Sequence, residues 1–224
     1  MKYTKRFLAL GLALLMILAM ATSFMGCSSS KGNGSAGGGG ETEEAVEEET
    51  KEVIYRFSDE VTNYVRINTK GYGEMIVELY PDVAPETVAH FQSLVKAGFY
   101  NKLTFHRIIK GSVIQGGDPL GTGFGGADTT VVGEFSANGF ENTLSHTRGV
   151  ISMARKTDDY NSASSQFFFC HQDATEHDGE YAAFGKVIKG IETLDKLAEA
   201  AVMIDEQTPI DPPEILSIRF VYPD

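Results

Sequence analysis

From residue 61 onward, apolar and polar residues alternate in short runs, and a run of period two can bury one face only as part of a sheet. Residues 61–67 and 73–80 alternate in this way on either side of Asn68-Thr69-Lys70-Gly71, which predicts a hairpin. Residues 104–109, 113–115, 150–154, 166–170, 181–188 and 215–222 bring the strand candidates to eight. Helical spacing occurs in two places. Pro85 opens the first, Val88, Phe91 and Val95 form its apolar stripe and Gly98 stops it; Ile191, Leu194, Ala198 and Ala201 mark the second. The expected fold is mainly β, a closed eight-stranded antiparallel barrel capped by two α-helices, because closure removes exposed sheet edges.

The residues before this pattern read as an address and a tether. Lys2, Lys5 and Arg6 precede an apolar run over residues 7–24, and Gly26-Cys27 and a serine triplet follow it. This is a signal-peptide layout, expected to occupy residues 1–26. The small residue before Cys27 resembles a bacterial lipoprotein signal, in which the thiol is acylated and cleavage makes that cysteine the new N-terminus. An uncleaved membrane anchor is the alternative, since about 18 apolar residues can just span a bilayer. Either way the protein is expected outside the cytoplasm and held to the cell membrane. Residues 27–52 combine the glycines 37–40 with seven Glu and have no apolar face, so they predict a disordered tether. The globular domain is placed at residues 53–224.

Charge excludes one class of partner. The domain carries 14 Lys and Arg against 24 Asp and Glu. Such a surface repels phosphate backbones, so nucleic acid is not an expected partner. The two cysteines, Cys27 and Cys170, are too few for a disulfide framework. Cys170 closes a Phe-Phe-Phe run and reads as a buried thiol.

Other constellations have plain readings. Gly121, Gly123 and Gly126 match a dinucleotide glycine pattern, but the strand-like residues 127–132 follow instead of a helix, so the segment reads as a loop. His171, Glu176 and His177 lack the spacing of a metal-ligating pair and read as exposed polar residues. No serine lies in a nucleophile elbow.

Residues 105–118, Phe-His-Arg-Ile-Ile-Lys-Gly-Ser-Val-Ile-Gln-Gly-Gly-Asp, resemble the signature segment of the cyclophilin family of peptidyl-prolyl isomerases. Residues 121–126, 133–135, 149–155, 164–168 and 181–187 resemble further family blocks in the family's order. The resemblance runs from about Val61 to Tyr222 and implies an eight-stranded barrel with two helices, in agreement with the strand count.

The resemblance also implies a chemistry. Rotating an Xaa-Pro bond breaks amide resonance across a barrier of roughly 18–20 kcal/mol. As the bond twists, the nitrogen lone pair becomes an acceptor, and a donor aimed at it favours the twisted state. By family position Arg107 is the catalytic donor. Val113, Met153 and Phe168 are expected to line a proline pocket. Gln115 and Gln166 would bond substrate or orient Arg107, Ala154 and Arg155 would offer main-chain groups, and His106 and Tyr181 complete the substrate-binding set. No metal or other cofactor is implied.

Four positions depart from the family. Ser112 stands where a pocket phenylalanine is usual. Glu176 and His177 stand where members that bind cyclosporin tightly have Trp and Leu, and Arg155, often Asn, is expected to add charge at the rim. The expected function is a monomeric peptidyl-prolyl isomerase acting on proline-containing chains of secreted or envelope proteins as they fold. The alternative is a module that binds proline segments, or a chaperone with little turnover, because Ser112 replaces a pocket aromatic.

Overall fold

The computed structural model describes residues 52–224. The signal-peptide reading over residues 1–26, the acylation site at Cys27 and the tether reading over residues 27–52, all but its last residue, lie outside the described residues.

Among the described residues nine strands form one antiparallel sheet: β1 (Tyr55–Phe57), β2 (Tyr64–Thr69), β3 (Gly73–Leu79), β4 (Arg107–Ile108), β5 (Val113–Gly116), β6 (Val150–Met153), β7 (Phe167–Cys170), β8 (Ala183–Lys189) and β9 (Ile215–Pro223). Two helices accompany them, α1 (Pro85–Lys96) and α2 (Glu192–Ala200). The spatial order is β1-β9-β2-β3-β8-β6-β7-β5-β4, so the expected closed eight-stranded barrel is corrected on both counts. The ninth strand, β1, is three residues long and mostly exposed, too short to show alternation.

Closure fails for a backbone reason. Beyond the β4 edge, residues 102–105 reach the start of β9 through three bonds: Lys102 N–H to the Ile215 carbonyl at 2.8 Å, Ile215 N–H to Leu103 at 2.7 Å and Phe105 N–H to Pro213 at 2.9 Å. A single bridge between Thr104 and Glu214 sits among them. Pro212 and Pro213 come immediately before and have no N–H to donate, so no ladder extends from this contact.

Helix α1 forms as the sequence predicts. Pro85 takes the first turn, where its missing N–H costs nothing. Ala84 provides no side-chain cap, and the orphan amides of Glu86 and Thr87 donate instead to the distant Glu134 carboxylate at 3.1 and 2.8 Å. Its buried face sets Phe91 against Tyr100, Phe167 and Phe184, with ring centroids 5.1–5.8 Å apart. Gly98, at φ +67, ends it in the left-handed conformation that glycine adopts without strain.

The register of β7 sets up the functional face. All four of its residues are buried, but alternation sends Phe167 and Phe169 into the main core and Phe168 and Cys170 into a second cluster with Val113 and Val150. Pairing places Gln115 opposite Phe168 and Arg107 opposite Gln115, so the three lie in line across adjacent strands.

Candidate active site

On this face lies a groove of about 500 Å³. Phe168 and Val113 supply its apolar surface together with Ala154 and the ring of Tyr181, while His106, Arg107, Gln115 and Arg155 supply polar surface. These eight expected site residues are therefore brought together.

Arg107 is half-buried and held at two points. Its Nε donates to Gln207 Oε1 at 2.7 Å and its Nη1 to Gln115 Oε1 at 3.2 Å. Gln115 Nε2 donates in turn to Gln166 Oε1 at 2.8 Å, and Gln166 Nε2 donates to the carbonyls of Gly123 and Gly125 at 3.0 and 2.7 Å. This relay leaves the remaining donors of the guanidinium fork for the groove.

Two residues expected in the lining are not there. Met153 is 1% exposed and belongs to the main core, because its register opposite Phe167 turns it to the core side of β6. Gln166 lies outside the lining and braces Gln115 and the glycine loop. The Ala154 N–H is committed to the Gln166 carbonyl at 2.9 Å, which leaves its carbonyl as the main-chain group available to a ligand.

Residues 119–126 form a loop, as read, and it is wrapped around a carboxylate. Asp118, 1% exposed, accepts from the amides of Leu120 at 2.8 Å, Thr122 at 2.9 Å and Gly123 at 2.6 Å. Burial raises its pKa, but backbone donors from Leu120, Gly125, Gly123 and Thr122 outweigh that and hold it below the usual carboxylate value. A Cβ on Gly125 would run into Asp118 Oδ1, so only glycine permits this approach.

Arg155 does not add charge to the rim. Its side chain is 5% exposed, with the guanidinium 4.7 Å from the ring centres of Tyr160 and Tyr181 and 5.3 Å from that of Phe135. It donates to the Glu180 carbonyl at 3.0 Å and the Glu180 carboxylate at 3.2 Å, and to the carbonyls of Lys156 and Thr157 at 2.9 and 3.1 Å. Weakly hydrated and planar, a guanidinium can be caged by rings in this way. The residue thus ties together the loops on either side of Tyr181 and Thr157, which both line the groove.

His171 is also corrected. It is 5% exposed, accepts the Gly111 N–H at 2.9 Å and meets Asp195 at 3.0 Å, tying a loop to α2. His177 lines the groove while Glu176 is exposed and outside it. No group of three or more metal-ligating side chains occurs among the described residues. Ser112 is half-buried and absent from the lining.

Beneath Phe168, the His146 ring stacks at 5.9 Å and 14°. Its Nδ1 lies 2.8 Å from Asp178 Oδ1 and its Nε2 2.9 Å from Ser152 Oγ. The order Ser-His-Asp matches a hydrolase triad, but Ser152 is 0% exposed and no substrate can reach it. The network instead satisfies buried polar groups under the groove floor.

Burial lowers the pKa of His146 despite the hydrogen bond to Asp178, and burial likewise lowers that of His106, whose ring nitrogens make no hydrogen bond. A depressed histidine stabilises the fold in full above its ordinary value of about 6.5, and that contribution is lost as pH falls towards the folded-state value. Ordinary carboxylates stay mostly ionised down to about pH 5. The melting temperature is therefore expected to fall between pH 7 and pH 5 in a thermal titration. A melting temperature that holds or rises over that window contradicts neutral burial of both rings.

Sequence reasoning missed Gln207, Thr208 and Thr157 in the lining. They stand on segments without periodicity, and the one local signal was Asp205, a turn-forming residue just ahead of Gln207.

With the geometry in place, comparison with known proteins is specific. A family model described as cyclophilin type peptidyl-prolyl cis-trans isomerase/CLD matches residues 64–220. The chain is similar to peptidyl-prolyl cis-trans isomerase B of Bacillus subtilis, 43% identical over 56% of this chain and 84% of that protein. It is 41% identical to a peptidyl-prolyl cis-trans isomerase of Helicobacter pylori over 63% of this chain and 84% of that one. A peptidyl-prolyl cis-trans isomerase-like 2 of Rhizopus delemar is 42% identical over 65% of this chain, but the match spans only 26% of that longer protein. The crystal structure of a Cryptosporidium parvum cyclophilin type peptidyl-prolyl cis-trans isomerase, determined in the presence of the dipeptide Ala-Pro, superposes with a TM-score of 0.64. It is 36% identical and covers 70% of this chain and 98% of that one.

Proposed function

The chain belongs to the cyclophilin-type peptidyl-prolyl cis-trans isomerases, and we propose that the groove beside Arg107 is where it rotates Xaa-Pro bonds in extended or unfolded polypeptides, acting as a monomer. The observation that carries this is the doubly anchored guanidinium beside an apolar recess formed by Phe168 and Val113. The recess takes the proline ring. Arg107 then donates to the nitrogen as it leaves conjugation, an interaction stronger in the twisted state than in either planar one. His106, neutral and with both ring nitrogens buried and unbonded, contributes its ring to the groove wall. Ala154 offers a carbonyl. Bonds are neither made nor broken, so the residues act by placement alone. The test is an isomerisation assay of the full chain on a proline peptide: acceleration supports the reading, and a folded protein without acceleration overturns it in favour of a proline-segment binder.

We further propose that the domain works outside the cytoplasm on secreted or envelope clients, held to the membrane by acylated Cys27. Support comes from the basic start, the apolar run and Gly26-Cys27. Mass spectrometry of the mature protein is expected to find residues 1–26 removed and lipid on Cys27, with Cys27→Ser abolishing both. A wild-type chain that keeps residues 1–26 and carries no lipid is instead an uncleaved anchor.

A further inference from the structure

We infer that Gln207 is a positioning residue for the reaction, acting through Arg107; the inference rests on the catalytic reading of Arg107 above. It starts from the sheet edge. Strand β4 is the last strand of an unclosed sheet, so the outer side of Arg107 and Ile108 has no strand partner. The segment between α2 and β9 covers it: the Gln207 carbonyl accepts the Ile108 N–H at 2.8 Å, and the Gln207 side chain, one residue along the same edge, accepts from Arg107 Nε at 2.7 Å.

Gln207 is itself held by a turn. Asp205 Oδ1 accepts the amides of Gln207 and Thr208 at 2.8 and 2.7 Å, its Oδ2 accepts the Thr208 hydroxyl at 3.1 Å, and the Ile204 N–H donates to the Thr208 carbonyl at 2.7 Å. Together these fix the backbone of residue 207 at the edge of β4.

The reason this matters is geometric. A guanidinium bonded only through Nη1, as to Gln115 at 3.2 Å, can still pivot about that single hydrogen bond. Anchoring Nε as well fixes the plane of the fork, so the remaining donors point where the substrate nitrogen develops its lone pair. That preorganisation acts on the twisted state, not on binding of the planar peptide. Gln207 therefore belongs to kcat and not to KM.

The experiment is kinetics at saturating and subsaturating Ala-Pro peptide on full chains carrying Gln207→Leu, Gln207→Glu and the Arg107→Ala/Gln207→Leu pair, with melting temperatures for each. Gln207→Leu is expected to lower kcat about tenfold with KM within about twofold. Gln207→Glu keeps the acceptor oxygen and is expected to stay within about threefold of wild type. In the Arg107→Ala background, Gln207→Leu is expected to cost nothing further, since coupled residues are not additive. The 1H–15N cross-peak of Arg107 Nε is expected to shift in Gln207→Leu. Unchanged kcat in Gln207→Leu, equal losses in the Leu and Glu variants, or an additive double variant overturns the inference while leaving the isomerase reading standing. Inactivity of the wild-type chain overturns both.

Discussion

Arg107→Ala is expected to lower kcat/KM for an Ala-Pro peptide at least about a hundredfold, as removal of a preorganised transition-state donor typically does. Nothing else in the groove replaces it. The carboxamide groups of Gln115 and Gln166 are engaged with each other and with the glycine loop, and the guanidinium of Arg155 is caged by three rings. Stability should change little, because Arg107 is half-buried and its two glutamine partners can turn to water. Arg107→Lys keeps the charge but not the fork, so it is expected to recover only a small part of the rate. The measurement is kcat/KM alongside circular dichroism. A folded Arg107→Ala protein at the wild-type rate would remove Arg107 from the mechanism and return the groove to a binding role.

What the sequence made legible follows from which residues carry periodic signals. Helix α1 was readable because Pro85, the apolar spacing and Gly98 are all local. The strands were readable wherever one face is wet. Strand β7 was readable as a strand but not by face, since Phe-Phe-Phe-Cys is apolar throughout and only pairing with β5 and β6 decides which side each ring takes. Met153 was misplaced for the same reason: its facing depends on β6 pairing with β7. The open sheet turns on Pro212 and Pro213 lying beside residues 102–105, just ahead of β4, a juxtaposition of residues over a hundred positions apart. Arg155 was read as a rim charge because the rings that cage it, Phe135, Tyr160 and Tyr181, come from three separate segments. Arg107, Gln115 and Phe168 were found through resemblance, and their register shows why the motif has that order: alternate residues of β5 face the groove while those between them fill the core.

Asp118→Ala is expected to destabilise the domain by about 3 kcal/mol, the effect of stranding amide donors that now meet a buried carboxylate. At about 2–4 °C per kcal/mol for a domain of this size, the melting temperature should fall by about 6–12 °C. The loss is not confined to stability. The amides of Leu120, Thr122 and Gly123 take their positions from this one carboxylate, Gly121, Thr122 and Gly123 line the groove, and the Gly123 and Gly125 carbonyls anchor Gln166. Loosening the loop frees Gln166, then Gln115, then the Nη1 anchor of Arg107, so KM should rise and kcat fall together. Asp118→Asn tests whether charge is needed: one amide oxygen still accepts, but its NH2 faces other N–H donors, so little stability should return. Acid offers a second check. Because the pKa of Asp118 is held down in the folded state, its contribution is complete above the ordinary carboxylate value and is lost as pH falls through the folded value. The stability gap between wild type and Asp118→Ala should therefore be full at pH 7 and narrow on acidification below about pH 4. A gap that stays constant into strong acid would mean the Asp118 carboxylate does not hold this loop, and the relay from the loop to Arg107 would lose its anchor.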